Sequence, residues 1–361
     1  MTPENKNSLE PALQSILYSS YAYLHPYKPI WRVQVQGQVY SDRPLPFSKR
    51  FLLRGLERAL HLTPEQAKSD IFRARVSGFL ATPESGQRLR VHHDALVYRL
   101  RQRSRRSGLF QGRFDLPTAS LSGLDRDSQW NRPQSIMTSI ECGESVGSVF
   151  LAGHSGVSII SDIDDTIKRT DVTSRSRMLA RTFVEEFEPI VGMSEVYRHW
   201  SGQGGLFHYV SSSPWQIYRP LEDFLNQYAF PPGSMHLKWF RLRDEFFKRW
   251  SIIRRKSKAG VIATMIKRMP YRKFLLVGDS GERDPEIYAK IARRFPGKVI
   301  GILIRDLDAH PIDGKRHDWL IKKLGSVPLT LFREPHEIAD SLERARLNNL
   351  VYPKQPPLSE R

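Results

Sequence analysis

The chain has 361 residues, of which 40% are hydrophobic and 26% charged, so it is long enough for two domains with separate cores. No apolar run approaches the about 20 residues that cross a bilayer, and the N-terminus lacks the pattern of a signal peptide. Because Cys142 is the only cysteine, an internal disulfide and a cysteine-based zinc cage are excluded. We expect a cytoplasmic protein, with a peripheral position at the inner membrane surface left open.

The charge of the chain is strongly positive. Its 56 Lys and Arg residues against 38 Asp and Glu residues give a formal net charge of +18. Such an excess attracts polyanions without sequence-specific contacts. Nucleic acid and an anionic lipid surface both satisfy it, and composition does not choose between them.

The first 152 residues divide into an N-terminal segment and a strand-rich region. Apolar residues at helical spacing predict a short amphipathic helix over 8–20, within a helical segment 1–27. Alternating patterns then predict half-buried strands around 33–39 and 72–76, and further short strands are expected at these ranges: 89–98, 109–115, 135–142 and 147–151. Residues 28–152 are therefore predicted to form a mostly antiparallel β domain, a sandwich or barrel, with no catalytic constellation.

A helical insert interrupts this region. The insert is predicted over Phe51–Ser69, where Thr63-Pro64-Glu65-Gln66 has the sequence of an N-cap, a first-turn proline and a capping box.

Residues 153–345 have a different pattern, with apolar strands separated by helical stretches. The four strands are predicted over these ranges: 157–160, 206–210, 274–277 and 299–304. This alternation is typical of a parallel α/β sheet, in which ligands bind at the carboxyl ends of the strands. Residues 346–361 form a tail, which is predicted to be disordered from Tyr352 onward.

Two acidic clusters follow strands of this predicted sheet. Asp162, Asp164 and Asp165 come directly after the first strand, and Asp279 and Asp284 follow the third. Carboxylates crowded at a buried edge repel one another unless a cation is present. Oxygen-only ligands indicate a hard cation, and a site completed by substrate phosphate favours Mg²⁺ over Ca²⁺. For Asp284, which precedes Pro285, a helix N-cap is the alternative interpretation.

Polar residues also follow the second strand and precede the third. Ser211 can donate its hydroxyl to a phosphate oxygen, whereas Ser213 is interpreted as the capping residue of the next helix. Lys258 begins a segment with helical spacing before the third strand and can neutralise a phosphate or a nucleophile. A solvated lysine is the alternative for Lys258.

The order of these pieces resembles the haloacid-dehalogenase superfamily of aspartate-nucleophile phosphatases. More narrowly, four motifs resemble the catalytic domain of the actin-patch-protein type of phosphatidate phosphatase: Asp162-Ile-Asp-Asp-Thr-Ile-Lys, Thr170-Asp-Val-Thr-Ser-Arg, Ser213-Pro-Trp-Gln and Gly278-Asp-Ser-Gly-Glu-Arg-Asp-Pro-Glu. The resemblance covers about residues 156–306 and implies a Rossmann-like parallel sheet with flanking helices. The preceding region is similar to the β domain often found ahead of such catalytic domains.

The resemblance also implies roles for individual residues. Asp162 would attack phosphorus to form an aspartyl-phosphate, and Asp164 would act as general acid and then as general base. The implied metal residues and substrate-contacting residues are these: Asp162, the backbone carbonyl of Asp164, Asp279 and Asp284 for Mg²⁺; Ser211, Ser212, Thr166 and Lys258 for the phosphate.

The resemblance implies phosphatidate, a phosphorylated lipid at an anionic membrane surface, as the substrate. Residues 235–258 carry nine basic and two acidic residues with interleaved aromatics, which suits a membrane interface, although a surface helix packed on the core has the same composition. Two other functions remain open, namely a phosphatase of nucleic-acid ends or nucleotides and a non-catalytic module that binds anionic lipid. The sequence contains no nucleic-acid-binding motif and indicates no protein partner.

Overall fold

A computed structural model describes most of the chain, over these residues: 12–41, 53–58, 60, 62–121, 134–143, 145–172, 174–238 and 258–347. The described part contains two sheets. The first has nine strands: β1 Leu13–Tyr18, β2 Ser20–Leu24, β3 Ile30–Ser41, β4 Thr82–Pro83, β5 Arg90–His93, β6 Leu96–Arg99, β7 Leu109–Pro117, β8 Ser135–Ile140 and β9 Val146–Ala152. The central segment of basic and aromatic residues, 239–257, and the predicted tail from 348 lie outside the described residues.

The long strand β3 organises the first sheet. It pairs antiparallel with β1 and β2 on one side and with β7 and β4 on the other. All pairs in this sheet are antiparallel except β2 with β9, which are parallel. Side chains from strands at both ends of the sheet, such as Val91 and Phe110, share one buried core, so the sheet curves around that core. The predicted mostly antiparallel β domain is confirmed.

The helix predicted over 8–20 is wrong where the structure describes it. Residues 13–18 and 20–24 are strands, and β1 pairs with β3 from Leu13 opposite Ser41 to Tyr18 opposite Gln36. Residues 17–23 are buried in succession, on both faces of the strands. A strand buried on both faces loses the alternation that identifies strands, and its apolar residues then match helical spacing by coincidence.

The helical insert is longer than predicted. Thr63 forms the predicted capping box with Gln66 at the start of α1 Pro64–Lys68, and Ser69 then caps α2 Asp70–Leu80. The strand predicted around 72–76 is therefore wrong. Phe72, Val76 and Phe79 are buried at helical spacing. The sequence looked like a strand because Arg75, a polar residue between apolar neighbours, is buried on the same face of the helix.

The second sheet is parallel throughout and has six strands in the order β12-β11-β10-β13-β14-β15. Its strands are β10 Val157–Ser161, β11 Leu206–Pro214, β12 Gly233–Lys238, β13 Lys273–Asp279, β14 Val299–Arg305 and β15 Leu329–Phe332. The four predicted strands are confirmed, and β12 and β15 are additional. The connecting and terminal helices are α3 Arg175–Phe183, α4 Met193–Gly202, α5 Tyr218–Gln227, α6 Lys258–Arg268, α7 Asp284–Arg294, α8 Gly314–Leu324 and α9 Ser341–Leu347.

The two sheets meet along β12, which is an edge strand of the second sheet. The amide of Met235 donates to the carbonyl of Ser19 at 3.2 Å, and Gln36 donates to the carbonyl of Met235 at 2.9 Å. Tyr18 stacks on Trp215 with ring centroids 4.3 Å apart. Within the described residues, none of the helices has both the length and the apolar character needed to cross a membrane.

Candidate active site

The predicted acidic clusters meet at the carboxyl ends of two neighbouring strands. β10 and β13 pair in parallel, Asp162 follows the last residue of β10, and Asp279 ends β13. The amide of Asp162 donates to the carbonyl of Val277 at 2.9 Å, which fixes Asp162 beside β13. The position agrees with the rule that ligands of parallel sheets bind at this edge.

Three carboxylates form a cluster that fits a cation. One oxygen each from Asp162, Asp279 and Asp284 lies within 4.8 Å of the others, and all three residues are fully buried. Oδ2 of Asp162 and Oδ2 of Asp279 accept no hydrogen bond from any described residue. Buried carboxylate oxygens without donors are costly, and an all-oxygen set of this kind suits a hard divalent cation.

Lys258 is the only ammonium group that the described structure places in this cluster. Its Nζ lies 2.9 Å from Oδ1 of Asp162 and 2.5 Å from Oδ1 of Asp284. The predicted helix start at Lys258 is confirmed, since α6 begins there and the side chain is buried. Because the side chain of Lys258 is buried, the solvated alternative is wrong. One positive charge against three carboxylates leaves the cluster negative, so a further cation is still accommodated.

Burial dominates the electrostatics of the cluster. It raises the pKa of Asp162 well above its usual value, with Asp284 adding to the rise and Lys258 opposing it. Burial and the neighbouring Asp284 likewise raise the pKa of Asp279. Burial disfavours the ammonium of Lys258, but the attraction of Asp162 and Asp284 is stronger and raises its pKa. The charges of the protein alone therefore do not stabilise the ionised forms of Asp162 and Asp279.

Asp164 is held in the opposite way. Its Oδ1 accepts from Thr170 at 2.8 Å and lies 2.9 Å from Nζ of Lys168, and its Oδ2 accepts from Ser211 at 3.0 Å and Ser213 at 2.6 Å. Burial raises the pKa of Asp164, but the charge of Lys168 and these hydrogen bonds outweigh it and bring the pKa to about 2. Asp164 is thus an ionised carboxylate whose side chain stands outside the metal cluster. The role of its backbone carbonyl stays a prediction.

Asp165 serves the backbone of the following loop. Its Oδ1 accepts from the amides of Thr170 and Asp171 at 2.7 and 2.8 Å, and its Oδ2 accepts from Val172 at 2.7 Å. Asp165 itself has a φ of 54°, in the left-handed region that aspartate tolerates better than most residues. Its carboxylate therefore does not need a cation, contrary to the sequence argument that grouped it with Asp162.

Two of the three serines in the last part of β11 donate hydrogen bonds to Asp164. Ser211 donates to Asp164 and accepts from the amide of Ser213 at 2.9 Å, so its hydroxyl is already engaged. The capping role predicted for Ser213 is wrong, because β11 continues to Pro214 and the short helix Trp215–Ile217 has no side-chain cap. Ser212 donates to Glu282 at 3.3 Å. Contact of Ser211 and Ser212 with phosphate stays a prediction.

Thr166 and Asp284 are both buried at the site. The hydroxyl of Thr166 has no hydrogen-bond partner among the described residues, so it is able to donate a hydrogen bond to a ligand. Asp284 is not the N-cap, since Arg283 holds that position and Asp284 is the first residue of α7. Its carboxylate instead accepts from Lys258 and, at 3.2 Å, from the hydroxyl of Tyr288.

Sequence reasoning missed four residues that shape the site: Lys168, Thr170, Glu282 and Tyr288. Lys168 and Thr170 lie within the quoted motifs, four and six residues after Asp164, but nothing in their spacing shows that the chain turns back there. Glu282 lies 3.6 Å from Lys258 and has a pKa raised mainly by burial. Its burial depends on the fold of the loop after β13, which the sequence does not reveal.

Comparison with known proteins identifies relatives of the second sheet and its helices. Residues 157–306 match the family model described as "Phosphatidate phosphatase APP1, catalytic domain". The chain is 34% identical over 195 residues to phosphatidate phosphatase APP1 of Saccharomyces cerevisiae, a match that covers 53% of this chain and 33% of the yeast protein. It is 35% identical over 158 residues to an uncharacterized protein of Schizosaccharomyces pombe, over 43% of this chain and 26% of that protein.

The match therefore spans about a third or less of these curated relatives' length. Among solved structures, an uncharacterized protein from Listeria monocytogenes serotype 4b aligns with 53% of this chain and 99% of its own, at 10% identity and a TM-score of 0.39. A similarity of that size does not identify a fold.

Proposed function

We propose that this chain is a Mg²⁺-dependent phosphatase of phosphomonoesters, because residues 157–306 match the model of the phosphatidate phosphatase APP1 catalytic-domain family. The substrate that we propose is phosphatidate, which would give diacylglycerol and phosphate. The observation that carries the proposal is the meeting of Asp162, Asp279, Asp284 and Lys258 at the ends of β10 and β13. A buried nucleophile beside an acidic cation site is the arrangement that attack on a dianionic phosphate requires.

Asp162, Asp279 and Asp284 would hold Mg²⁺, because their oxygens lie close together and Oδ2 of Asp162 and Oδ2 of Asp279 accept no hydrogen bond from the described residues. When bound, Mg²⁺ screens the charge between the carboxylates and the phosphate. Lys258 orients the Asp162 carboxylate and offers its ammonium to an equatorial phosphate oxygen. The hydroxyl of Thr166, which has no hydrogen-bond partner within the described part of the chain, is a further donor at the same edge of the sheet.

In the first step an oxygen of Asp162 forms a bond to phosphorus, and the bond from phosphorus to the glycerol oxygen breaks. Asp164 gives its proton to that departing alkoxide. Asp164 is ionised in the structure, with a pKa of about 2. The approach of an anionic phosphate raises the pKa of a neighbouring carboxylate, so substrate binding favours its protonated form.

In the second step water attacks the aspartyl-phosphate and transfers a proton to Asp164. Phosphate leaves, and Asp162 is restored as a carboxylate. The role of Asp162 as phosphoryl acceptor and the order of the motifs are those of the haloacid-dehalogenase superfamily. The choice of phosphatidate depends on the name of the yeast relative and on the net charge of +18, which favours an anionic surface.

A phosphate-release panel with the Asp162→Asn variant tests this function. We expect Mg²⁺-dependent release from phosphatidate by the wild type and a loss of at least about 1000-fold in Asp162→Asn, because the amide is a poor nucleophile. Asp308→Asn, a change at an exposed surface carboxylate, is the matched control and should keep full activity. Rapid acid quench should show a phosphoryl group on the peptide that carries Asp162.

Near-normal phosphate release by Asp162→Asn would contradict the mechanism. The panel also contains nucleotides, oligonucleotide ends, lysophosphatidate and diacylglycerol pyrophosphate. Faster release from the nucleotides or oligonucleotides than from phosphatidate would keep the mechanism and replace the substrate.

A further inference from the structure

A large cleft separates the first sheet from α6 and β12. It has a volume of about 1600 Å³ and is bounded by β3 and β7 on one side and by α6 and the end of β12 on the other. Its lining includes Gly260 and Arg268 of α6, eight residues apart, so the cleft follows the helix for about 12 Å. Because Lys258 begins the same helix, one end of the cleft lies within two residues of the candidate active site.

The described lining of the cleft is strongly basic. It contains seven Lys and Arg residues and one acidic residue, Asp115, which already forms a two-point pair with Arg32 at 2.8 and 3.0 Å. Five of these cations make no ion pair or side-chain hydrogen bond with any described residue: Arg101, Arg105, Arg106, Arg113 and Lys238. Like charges gathered in a concave surface repel one another, and an anionic ligand removes that cost.

The loop that carries three of these arginines is anchored to the sheet. Residues 100–108 join β6 to β7, and Ser104, buried in the middle of the loop, donates to the carbonyl of Glu84 at 2.8 Å and accepts from the amide of Gln87 at 2.9 Å. Gly108 has a φ of 73°, and a Cβ at that position would lie 2.1 Å from the carbonyl oxygen of Val39. The exposed side chains of Arg101, Arg105 and Arg106 therefore project from a fixed backbone.

The chain segment that follows the cleft residue Lys238 is not anionic. Residues 239–257 connect the cleft residue Lys238 to Lys258, and they contain seven basic and two acidic residues. A segment with that excess of positive charge does not neutralise the cleft. An anionic group of another molecule would neutralise it.

We propose that the cleft binds the headgroup of an acidic phospholipid other than the one being hydrolysed, and so fixes the catalytic edge against a membrane. The choice of lipid rests on the proposed function, since α6 links this cleft to the phosphatase site. The aromatic residues of the lining argue against single-stranded nucleic acid. Such ligands need exposed rings for base stacking, whereas all five of these rings are buried: Tyr18, Tyr21, Phe110, Phe114 and Trp215.

Binding to vesicles of phosphatidylcholine, with and without phosphatidylserine, tests the proposal. Phosphatidylserine is a phosphodiester, so its binding does not depend on turnover at Asp162. We expect the wild type to bind only the vesicles with phosphatidylserine. The triple variant Arg101→Gln, Arg105→Gln, Arg106→Gln should bind them about 100-fold more weakly, because each basic residue at an anionic surface contributes about a factor of five.

The matched control is the triple variant Arg73→Gln, Lys290→Gln, Arg293→Gln. It removes the same charge from exposed positions outside the cleft and should bind almost as tightly as the wild type. Equal losses in the two triple variants, or no loss in the cleft variant, would overturn the proposal. The unfolding temperature of each variant checks its fold, and the single charge reversal Arg106→Glu replaces the triple variant if that one unfolds early.

Two further measurements distinguish the lipid proposal from a nucleic-acid site and from the proposed phosphatase function. If a single-stranded oligonucleotide binds through the three arginines while phosphatidylserine vesicles do not bind, the cleft is a nucleic-acid site and the lipid proposal is wrong. The Asp162→Asn variant should bind the vesicles like the wild type. Arginine-dependent vesicle binding without any phosphate release from phosphatidate would contradict the proposed function and leave the cleft proposal standing.

Discussion

Two aspartates that are two residues apart have opposite electrostatic environments. Asp162 has only Lys258 nearby among the described cations, and burial raises its pKa well above normal. Burial also raises the pKa of Asp164, yet Lys168 and the hydroxyl groups of Ser213 and Thr170 outweigh it and lower the pKa to about 2. The environment of Asp162 favours an added cation beside the carboxylate, whereas Lys168 already provides a positive charge beside Asp164. In the proposed mechanism, this difference would let one short motif provide a metal-bound nucleophile and a separate acid–base group.

In the proposed mechanism Lys168 would act on the reaction through its ion pair with Asp164, and Lys168→Met should reveal this role. Methionine keeps most of the side-chain volume and removes the charge 2.9 Å from Oδ1 of Asp164. Since a close opposite charge lowers a carboxyl pKa by about one to three units, the pKa of Asp164 should rise by a similar amount. Because Asp164 must be ionised to accept a proton from water in the second step, the acidic limb of the pH–rate profile for phosphate release should move to higher pH.

Arg169→Met is the control for this prediction. Arg169 is an exposed neighbour, 3.7 Å from the exposed Glu188, and its loss should leave the profile in place. An unchanged acidic limb in Lys168→Met, in a variant whose unfolding temperature shows that it is folded, would mean that Lys168 does not set the ionisation of Asp164.

At the scale of elements, the turn between β13 and α7 brings the second acidic cluster into position. Asp279 is fixed by accepting from the amides of Gly281 and Glu282 at 2.7 and 3.1 Å. Asp284 returns to the same point because α7 starts directly behind β13. This return leaves no room for a side chain at Gly278, where a Cβ would lie 2.3 Å from Oδ2 of Asp284 and 2.8 Å from its Cβ.

Gly278→Ala should therefore displace Asp284 and weaken the cation site. The contact involves the Cβ of Asp284 as well as its carboxylate, so rotation of the side chain alone does not relieve it. We expect at least about a tenfold lower Mg²⁺ affinity by calorimetric titration, together with a higher Mg²⁺ requirement for phosphate release. Gly202→Ala, which has open space around its Cβ, should change neither quantity. Equal Mg²⁺ affinity in Gly278→Ala and the wild type would remove Asp284 from the ligand set.

The elements also show how far the sequence alone could lead. Four of the six strands of the second sheet were predictable, as were Asp162, Asp279 and Lys258, because apolar runs followed by clustered polar residues are local signals. β1 and α2 were not, because residues 17–23 are buried in succession from the end of β1 into β2, and α2 mixes a buried Arg75 into its apolar face. The contacts of Asp164 with Lys168 and Ser213 depend on how two loops fold together, and no local pattern encodes them.

At the scale of the whole molecule, the strand-rich region and the parallel sheet share two apolar clusters. Phe72 and Phe79 of α2 pack in the same apolar cluster as Tyr197 and Phe224 from the helices of the parallel sheet. On the other face, Tyr21 of β2 packs with Met265 of α6. The strand-rich region therefore supports the helix that begins with Lys258, and changes at this junction should reach the site.

A buried histidine at this junction predicts how stability depends on pH. His208 of β11 bonds to Ser234 at 2.6 Å and to Ser158 at 3.3 Å, and Tyr21 of the first sheet packs edge-on against its ring. Burial lowers the pKa of His208 well below normal, and the nearby His236 and Arg272 add to the effect. The unfolded chain takes up a proton near pH 6.5 that the native state refuses, so folding stability should fall as the pH drops below about 6.5.

His208→Asn should flatten that dependence. Asparagine can keep the bond to Ser234 but does not titrate, so the fall in the free energy of unfolding between pH 6.5 and 5 should be shallower by up to about 1.4 kcal/mol per pH unit. Urea unfolding at several pH values measures the slope separately from the stability that the substitution itself costs. His310→Gln, at an exposed histidine, is the control and should keep the wild-type slope. If His208→Asn keeps that slope as well, the acid sensitivity comes from other groups, and the native junction tolerates a proton on His208.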